Sequence, residues 1–416
     1  MKVYVGIGVI LTIGAQQTED GEWSRVYRQC KNSRKESGIN HQPLTIDHQS
    51  KMIRTDELQI NMGPQHPSTH GVLRMIVTLD GETVVEAKPD IGFLHRGIEK
   101  LAERRTYTQF LPLTDRFDYV SSMHNNLVYS MAVEKLMGLE VPDRAEFIRV
   151  IMSELQRISS HLLFVGTFGL DLGASTPFLY CFREREDILD LFEMTCGARL
   201  TYSYIRPGGV MRDLPDGFVE KTRAFLKKMP ERLDEIDTLL STNEIFILRT
   251  RGIGCLSADN AISYAISGPT LRGSGVPFDV RKDAPYSVYD RIDFNVITQP
   301  MGDCLARYLV RTGEIRESIK MIAQALDMFP EGEYTAKVPK VIKPPAGEVY
   351  TRIESSRGDL GVYIISDGST SPYRLHWRGP SFINLAAIGE MVRGWKIADT
   401  VAILGSIDIV LGEVDR

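Results

Sequence analysis

Helical periodicity through the middle of the chain is the strongest constraint on its fold. Five stretches repeat apolar side chains every three to four positions: residues 121–136, the run after Asp143, 184–196, 218–240 and 303–328. The run after Asp143 sets Phe147, Ile148, Ile151, Leu155, Ile158 and Leu162 on one broad face and places Arg149, Gln156 and Arg157 elsewhere. Asp143 stands as its N-cap, with Glu146 at capping-box spacing. Gly138 sits where the preceding helix calls for a left-handed C-terminal residue. Pro230 kinks or cuts the fourth stretch. Long one-sided helices bury their apolar faces most simply against one another, so a helical bundle occupies the centre.

Strand patterns flank the bundle. Residues 58–62 alternate, and Asp80-Gly81 joins 75–79 to 83–85 as a hairpin. After a proline-rich connector at 338–345, residues 349–353 and 360–366 flank Arg357-Gly358-Asp359, and Asp367-Gly368 opens a turn before 373–377. The fold class is α+β, with a small N-terminal β-sheet, a central helical bundle and a C-terminal β-containing cap. The expected division is a β domain over 55–100, the bundle over 101–337 and the C-terminal region over 338–416, preceded by a variable, poorly ordered extension over 1–54. That extension has a net charge of +3 against −8 for the rest. Its apolar run from Met1 to Ala15 makes a weak signal peptide with a minimal basic region, and Gly6-Ile7-Gly8 fails as a dinucleotide fingerprint because Leu11 occupies the third glycine position.

Composition removes several function classes. At 43% hydrophobic and 25% charged, the chain is neither fibrous nor wholly disordered, and no apolar run reaches the roughly 18 residues of a membrane span. A net charge of −5 argues against nucleic-acid binding. The five cysteines contain no C-x-x-C pair, which suits a reducing compartment and removes the local signature of a zinc or iron–sulfur site held by this chain alone. There is no Walker A loop, no H-E-x-x-H and no G-x-S-x-G.

Polar residues concentrate among glycine and proline in three places. Gly63-Pro64-Gln65-His66-Pro67-Ser68-Thr69-His70-Gly71 carries two histidines four apart, but its prolines rule out the helix that would aim both at a metal; it is a rigid loop, and two turn histidines at the surface are the plain alternative. Ile91 to Lys100 is a loop entering a helix, in which Arg96 is either a solvated charge or an anchor for an acidic partner. The third place is Asp115-Arg116-Phe117-Asp118-Tyr119, followed downstream by Gly169-Leu170-Asp171-Leu172-Gly173-Ala174. Asp171 is a carboxylate in apolar surroundings, which raises a pKa unless a cation or donor sits beside it, though a lone aspartate at a helix end is more often a cap.

The segment from Gly63 to Arg74 closely resembles the signature of the D subunit, the 49-kilodalton subunit family, of NADH-quinone oxidoreductase (respiratory complex I). The resemblance continues through Gly92–Lys100, Asp118-Tyr119, Ser160-His161-Leu162, Asp171–Ala174, Phe182–Glu186, Tyr204–Val210, Leu271–Gly275, Asp279–Lys282 and Gly412–Arg416, in order, over nearly all of 56–416. It implies a fold like the large subunit of nickel–iron hydrogenases, but with no resident metal, because both C-x-x-C pairs of those enzymes are missing here. It also implies a cavity, shared with an adjacent subunit carrying a [4Fe–4S] cluster, that accepts a quinone headgroup.

Quinone reduction needs two positioned donors, each able to give a proton or steady an oxyanion. The resemblance assigns these to His70 and Tyr119, pairs Asp171 with His70, places Arg96 beside the neighbour's cluster, and leaves His66 and Thr69 to shape and line the cavity. It further implies, as partners, the cluster-bearing B subunit, the C and I subunits of the peripheral arm, and the membrane-embedded H subunit at the quinone entrance. The implied position is peripheral, on the cytoplasmic side of a bacterial plasma membrane or the matrix side in a mitochondrion. The chain alone, with no redox centre, is expected to be inactive. A free-standing hydrogenase-type metalloenzyme is contradicted by the absent cysteine pairs, and a non-catalytic scaffold by the intact His70, Tyr119 and Asp171 set.

Overall fold

The computed structural model describes residues 57–64 and 71–416; the expected extension over 1–54, and His66, Thr69 and His70, lie outside the described residues. At the N-terminal end, β1 (Leu58–Met62), β2 (Arg74–Asp80) and β3 (Thr83–Asp90) form an antiparallel sheet in chain order. Strict alternation turns Met75, Val77 and Leu79 to the core. On β3 the buried positions are Val84 and Ala87, out of phase with one another, and a bulge opposite Thr78 and Leu79 absorbs the extra residue. The hairpin turn lies one residue later than Asp80-Gly81: Asp80 pairs with Thr83, so Gly81 takes the first central position, at φ 60°.

The bundle follows. Helix Ser122–Met137 closes on Gly138 at φ 63°, as its sequence requires. Helix Cys304–Asp327 begins behind Asp303, whose side chain accepts the Ala306 amide at 2.7 Å. Two helices depart from their patterns. Ser175–Cys196 starts well before Glu184, with Pro177 in a first turn where no backbone donor is needed. Phe218–Leu239 is continuous through Pro230, which lies on the exposed side, where solvent can reach the carbonyl the proline leaves without a donor.

Helix Asp143–Asp171 departs most from its pattern. Pro142, not Asp143, occupies the N-cap; the Asp143 carboxylate meets Arg291 at 2.7 Å instead, and Glu146 holds Arg149 at 3.0 Å. The acidic first turn still complements the helix dipole. The apolar face is buried, but so are Arg149, Gln156 and Arg157, so the helix is not one-sided. Neighbouring elements cover its polar side and satisfy it. Arg157 donates to the Ser355 and Glu354 carbonyls, each at 2.7 Å, and Arg149 to the Arg206 carbonyl at 2.8 Å, beside the short antiparallel pair β4 (Ile205–Arg206) and β5 (Gly209–Val210).

Those Ser355 and Glu354 carbonyls belong to the C-terminal sheet, β6 (Gly347–Ser355), β7 (Gly358–Ser366) and β8 (Arg374–Arg378), again antiparallel in chain order. Ser355 pairs with Gly358, leaving Ser356 and Arg357 as the hairpin tip. Hairpin tips ordinarily face water. Here both residues are buried, driven in between helices of the bundle. A single apolar cluster runs from Met75 and Val77 on the first sheet through the bundle to Ile364 and Trp377 on the last.

Candidate functional site

The segment from Asp115 to Val120, between two helices, is pinned at almost every residue. The Asp115 carboxylate accepts from the Ser203 hydroxyl at 2.7 Å and Asn126 at 2.9 Å; burial lifts it to about 6. Phe117 stacks on Trp377 with ring centres 4.1 Å apart. Asp118 accepts the Val120 amide at 3.0 Å and Arg357 Nη1 at 2.7 Å. Gln156 donates to the Val120 carbonyl at 2.6 Å, and Ser122 Oγ to the Tyr119 carbonyl at 3.3 Å. Amid these anchors Tyr119 is presented outward, 43% exposed between two buried neighbours, and Arg116 is the other exposed residue of the segment. Partial burial, then the neighbouring Asp118 carboxylate, raise its phenol above the ordinary tyrosine value, opposed by Arg357 and Arg96. The side chain therefore stays protonated at neutral pH and can donate.

Arg96 lies in the loop before helix Ile98–Ala102. Its Nη2 donates to the carbonyls of Arg116 at 2.8 Å and Gly412 at 3.0 Å, and burial lowers its pKa. The residue is exposed, but its guanidinium is fixed by backbone oxygens, and it acts electrostatically with the phenol of Tyr119. Asp171 is the last residue of helix Asp143–Asp171, and Gly405 packs on it so closely that a Cβ there would stand 3.1 Å from Oδ2.

Residues 405–416 draw these pieces together. Gly412 leaves no room for a side chain, since a Cβ would meet the Phe117 carbonyl at 2.7 Å and Arg96 Nη2 at 3.0 Å. Leu411 lies against Gly71, the end of the Gly63–Gly71 loop. Asp415 receives the amides of Gly92 at 2.9 Å and Leu94 at 2.6 Å. Thus the Asp115–Val120 segment that carries Tyr119, together with Arg96, Asp171 and the end of the histidine loop, surrounds one C-terminal segment; His66, Thr69 and His70 themselves are outside the described residues.

Pattern reading missed the charged groups beneath. Arg357, counted only as part of a turn, joins Asp118 to Asp408, with Nη2 at 3.4 Å from Asp408 Oδ1. Arg311 Nε lies 3.8 Å from Asp408 Oδ2, and Glu413 acts on Arg357 and Asp118. A hydroxyl chain leads inward: Arg357 to Ser356 Oγ at 3.0 Å, Ser356 to Ser121 at 2.6 Å, Ser121 to His124 at 3.0 Å. Burial, reinforced by Arg157, holds His124 well below the ordinary histidine value, so it is neutral. Beyond it lies an ionic core in which Arg157 and Arg281 share Glu154, Arg281 grips Asp279 at 2.7 Å, and Arg272 meets Glu314 and Glu354, each at 2.8 Å. Burial opposes ionisation of Glu314, but Arg272 and His161 pull it down to about 2; the His161 Nε2 to Glu314 distance is 2.9 Å. The 160–162, 271–275 and 279–282 stretches of the sequence resemblance all converge here.

Comparison with known proteins bears on the same region. The profile described as respiratory-chain NADH dehydrogenase, 49 Kd subunit, matches residues 171–416. The D subunit of NADH-quinone oxidoreductase from Desulforamulus reducens is 58% identical over 363 residues, covering 87% of this chain and 99% of that protein. Its counterpart in Carboxydothermus hydrogenoformans is 56% identical over 364 residues, 88% of this chain and all of that one. That of Clostridium beijerinckii is 54% identical, again over 88% of this chain. The chain belongs to this family of complex I subunits. Among the described residues no helix is long and apolar enough to cross a membrane.

Proposed function

We propose that this chain is the quinone-binding core subunit of the peripheral arm of a proton-pumping NADH-quinone oxidoreductase. It contributes oxidoreductase activity within the assembled complex and, holding no redox centre of its own, is inactive alone. The observation that carries the reading is the rigidly held, outward-facing Tyr119, meeting Arg96 and the end of the histidine loop at one C-terminal segment.

In this account Tyr119 and His70 donate to the two quinone oxygens. The [4Fe–4S] cluster of the adjacent subunit would supply the two electrons; each donor's bond to hydrogen breaks and its proton moves to a quinone oxygen, giving the quinol. A phenol kept above its ordinary value holds its proton until the oxyanion forms. Asp171 orients His70 and favours its charged form, and proton loss from His70 breaks that pair electrostatically, which couples the site to proton translocation. Arg96 would be the cation beside the neighbour's cluster, where its charge would raise the cluster's reduction potential; His66 and Thr69 line the cavity. The B, C and I subunits of the peripheral arm adjoin the chain, and the membrane-embedded H subunit meets it at the quinone entrance. The chain is peripheral on the cytoplasmic face of a plasma membrane or the matrix face in a mitochondrion.

The test is quinone-dependent NADH oxidation by membranes carrying Tyr119→Phe, with ferricyanide reduction as the control for electron input. The half-exposed hydroxyl can be removed with little change in packing, so assembly persists. Quinone activity is expected to fall at least about a hundredfold, the lower range for losing a proton donor, while ferricyanide reduction stays. Retention of both activities in an assembled complex would remove Tyr119 from the site.

A further inference from the structure

A single carboxylate, Glu99, stands behind both of the contacts that grip the segment carrying Tyr119. β8 is an edge strand, so the Trp377 amide and carbonyl that point away from β7 have no strand to pair with. Glu99, on helix Ile98–Ala102, accepts that amide through Oε1 at 2.9 Å, and Arg416 Nη1 donates to the carbonyl at 2.6 Å. The same Arg416 nitrogen lies 3.4 Å from Glu99 Oε1, His376 Nδ1 lies 3.3 Å from it, and Arg374 Nη2 reaches Oε2 at 3.5 Å. Four donors thus converge on one side chain that is only 17% exposed.

Two contacts carry this arrangement to Tyr119. The buried Trp377 ring lies almost parallel to that of Phe117, at 11° with centres 4.1 Å apart, and Phe117 is two residues before Tyr119. The Arg416 carbonyl accepts the Arg96 amide at 3.2 Å, and Arg96 Nη2 in turn donates to the Arg116 carbonyl at 2.8 Å. A ring therefore holds the segment at Phe117 and a guanidinium holds it at Arg116, one on each of two adjacent residues.

We propose that Glu99 is a positioning residue for quinone reduction, which fixes Trp377 against Phe117 and so sets where the Tyr119 hydroxyl stands. The inference rests on the quinone-site reading and deepens it. Glu99 acts through Trp377 and Phe117 and does not touch substrate. Without its acceptor the Trp377 amide is left unsatisfied at the sheet edge, β8 moves to reach water, and the Trp377 ring takes Phe117 with it. A donor displaced by about 1 Å loses on the order of a hundredfold in rate. The hydroxyl itself remains and the second donor is untouched, so the loss falls on kcat more than on KM. A carboxylate that did no more than stabilise the sheet edge would change assembly and melting, and would leave the kinetics of the assembled complex as they were.

The experiment is steady-state quinone reduction by the purified complex carrying Glu99→Ala, Glu99→Gln, Phe117→Leu or Glu99→Ala with Phe117→Leu, with ferricyanide reduction alongside. Glutamine keeps an oxygen for the Trp377 amide; leucine keeps an apolar side chain but removes the stacked ring. Glu99→Ala is expected to lower kcat at least about tenfold with KM within threefold and ferricyanide reduction unchanged, and Glu99→Gln to stay within about threefold of the unaltered complex. Phe117→Leu lowers kcat at least about fivefold. Because both residues act along one path, the double variant falls no more than about twofold below the weaker single variant. The proposal is overturned if Glu99→Ala keeps kcat within twofold, if Glu99→Gln falls as far as Glu99→Ala, or if the two losses multiply in the double variant. Should Glu99→Ala not assemble, Phe117→Leu decides alone: a kcat within twofold overturns the proposal. Survival of quinone activity in Tyr119→Phe would overturn the quinone-site reading whatever the Glu99 result, and loss in Tyr119→Phe with retention in Glu99→Ala would overturn the Glu99 proposal alone.

Discussion

Arg357→Met tests how much the buried cluster depends on its hub. The substitution preserves most of the side-chain length and apolar stem but deletes the donors that hold Asp118 at 2.7 Å, Ser356 at 3.0 Å and Ser160 at 3.1 Å, and the charge 3.4 Å from Asp408. Removing one partner of a buried ion pair leaves its counterion in low dielectric, at a cost of about 3–5 kcal/mol. In a thermal-shift assay on the purified complex, following loss of this subunit, the midpoint falls by on the order of 5–10 °C. The deficit depends on pH with a definite sign. Glu413 already titrates near 7 in the folded chain against 4.5 for an ordinary glutamate, and loss of the cation moves it higher. An acid with a raised folded-state value destabilises the fold once ionised, so the deficit grows as pH rises from 6 to 8 and shrinks towards 5.5, where protonation of Glu413 removes one of the buried negative charges. Adding Asp118→Asn recovers at least about 1.5 kcal/mol, because the strongest uncompensated charge is then gone. A deficit below about 1 kcal/mol, identical at pH 6 and 8, would refute the reasoning.

Two further perturbations probe the packing that aligns the site. Gly412→Ala forces a methyl to within 2.7 Å of the Phe117 carbonyl and 3.0 Å of Arg96, and should cost about 1–3 kcal/mol in thermal stability and lower quinone reduction more than ferricyanide reduction. Gly405→Ala presses on the Asp171 carboxylate at 3.1 Å and on Phe168 at 3.2 Å; kcat for quinone should fall several-fold in complexes that assemble normally, and an unchanged kcat would mean that the geometry around Asp171 is not limiting.

Much of the fold was legible because its signals are local. Alternation at 58–62, the glycine after helix Ser122–Met137 and Asp303 before helix Cys304–Asp327 each specify an element through a few neighbouring residues. What failed was decided at a distance. Asp143 has the chemistry of an N-cap, but Arg291, far along the chain, claims its carboxylate. Arg149 and Arg157 look like a solvated face until the β6–β7 hairpin and the β4–β5 turn supply carbonyls to bury them. The candidate site divides the same way. Tyr119, Arg96 and Asp171 were found as polar residues in unusual company, and they do gather around residues 405–416. Arg357 and Asp408 carried no local signal: a turn arginine and a loop aspartate acquire meaning only when the hairpin tip is driven into the bundle. Glu413 was visible within the terminal motif, but its role depends on sharing Arg357 with Asp118.

The central claim is that a quinone headgroup binds against Tyr119 and the loop ending at Gly71. Its most direct test is photolabelling of the assembled complex with a photoreactive quinone analogue, mapped by mass spectrometry. The account predicts label on residues 63–71 or 115–120 of this chain, lost when excess quinone competes. Competable label confined to other surfaces of the chain, or to its neighbours in the complex alone, would contradict it.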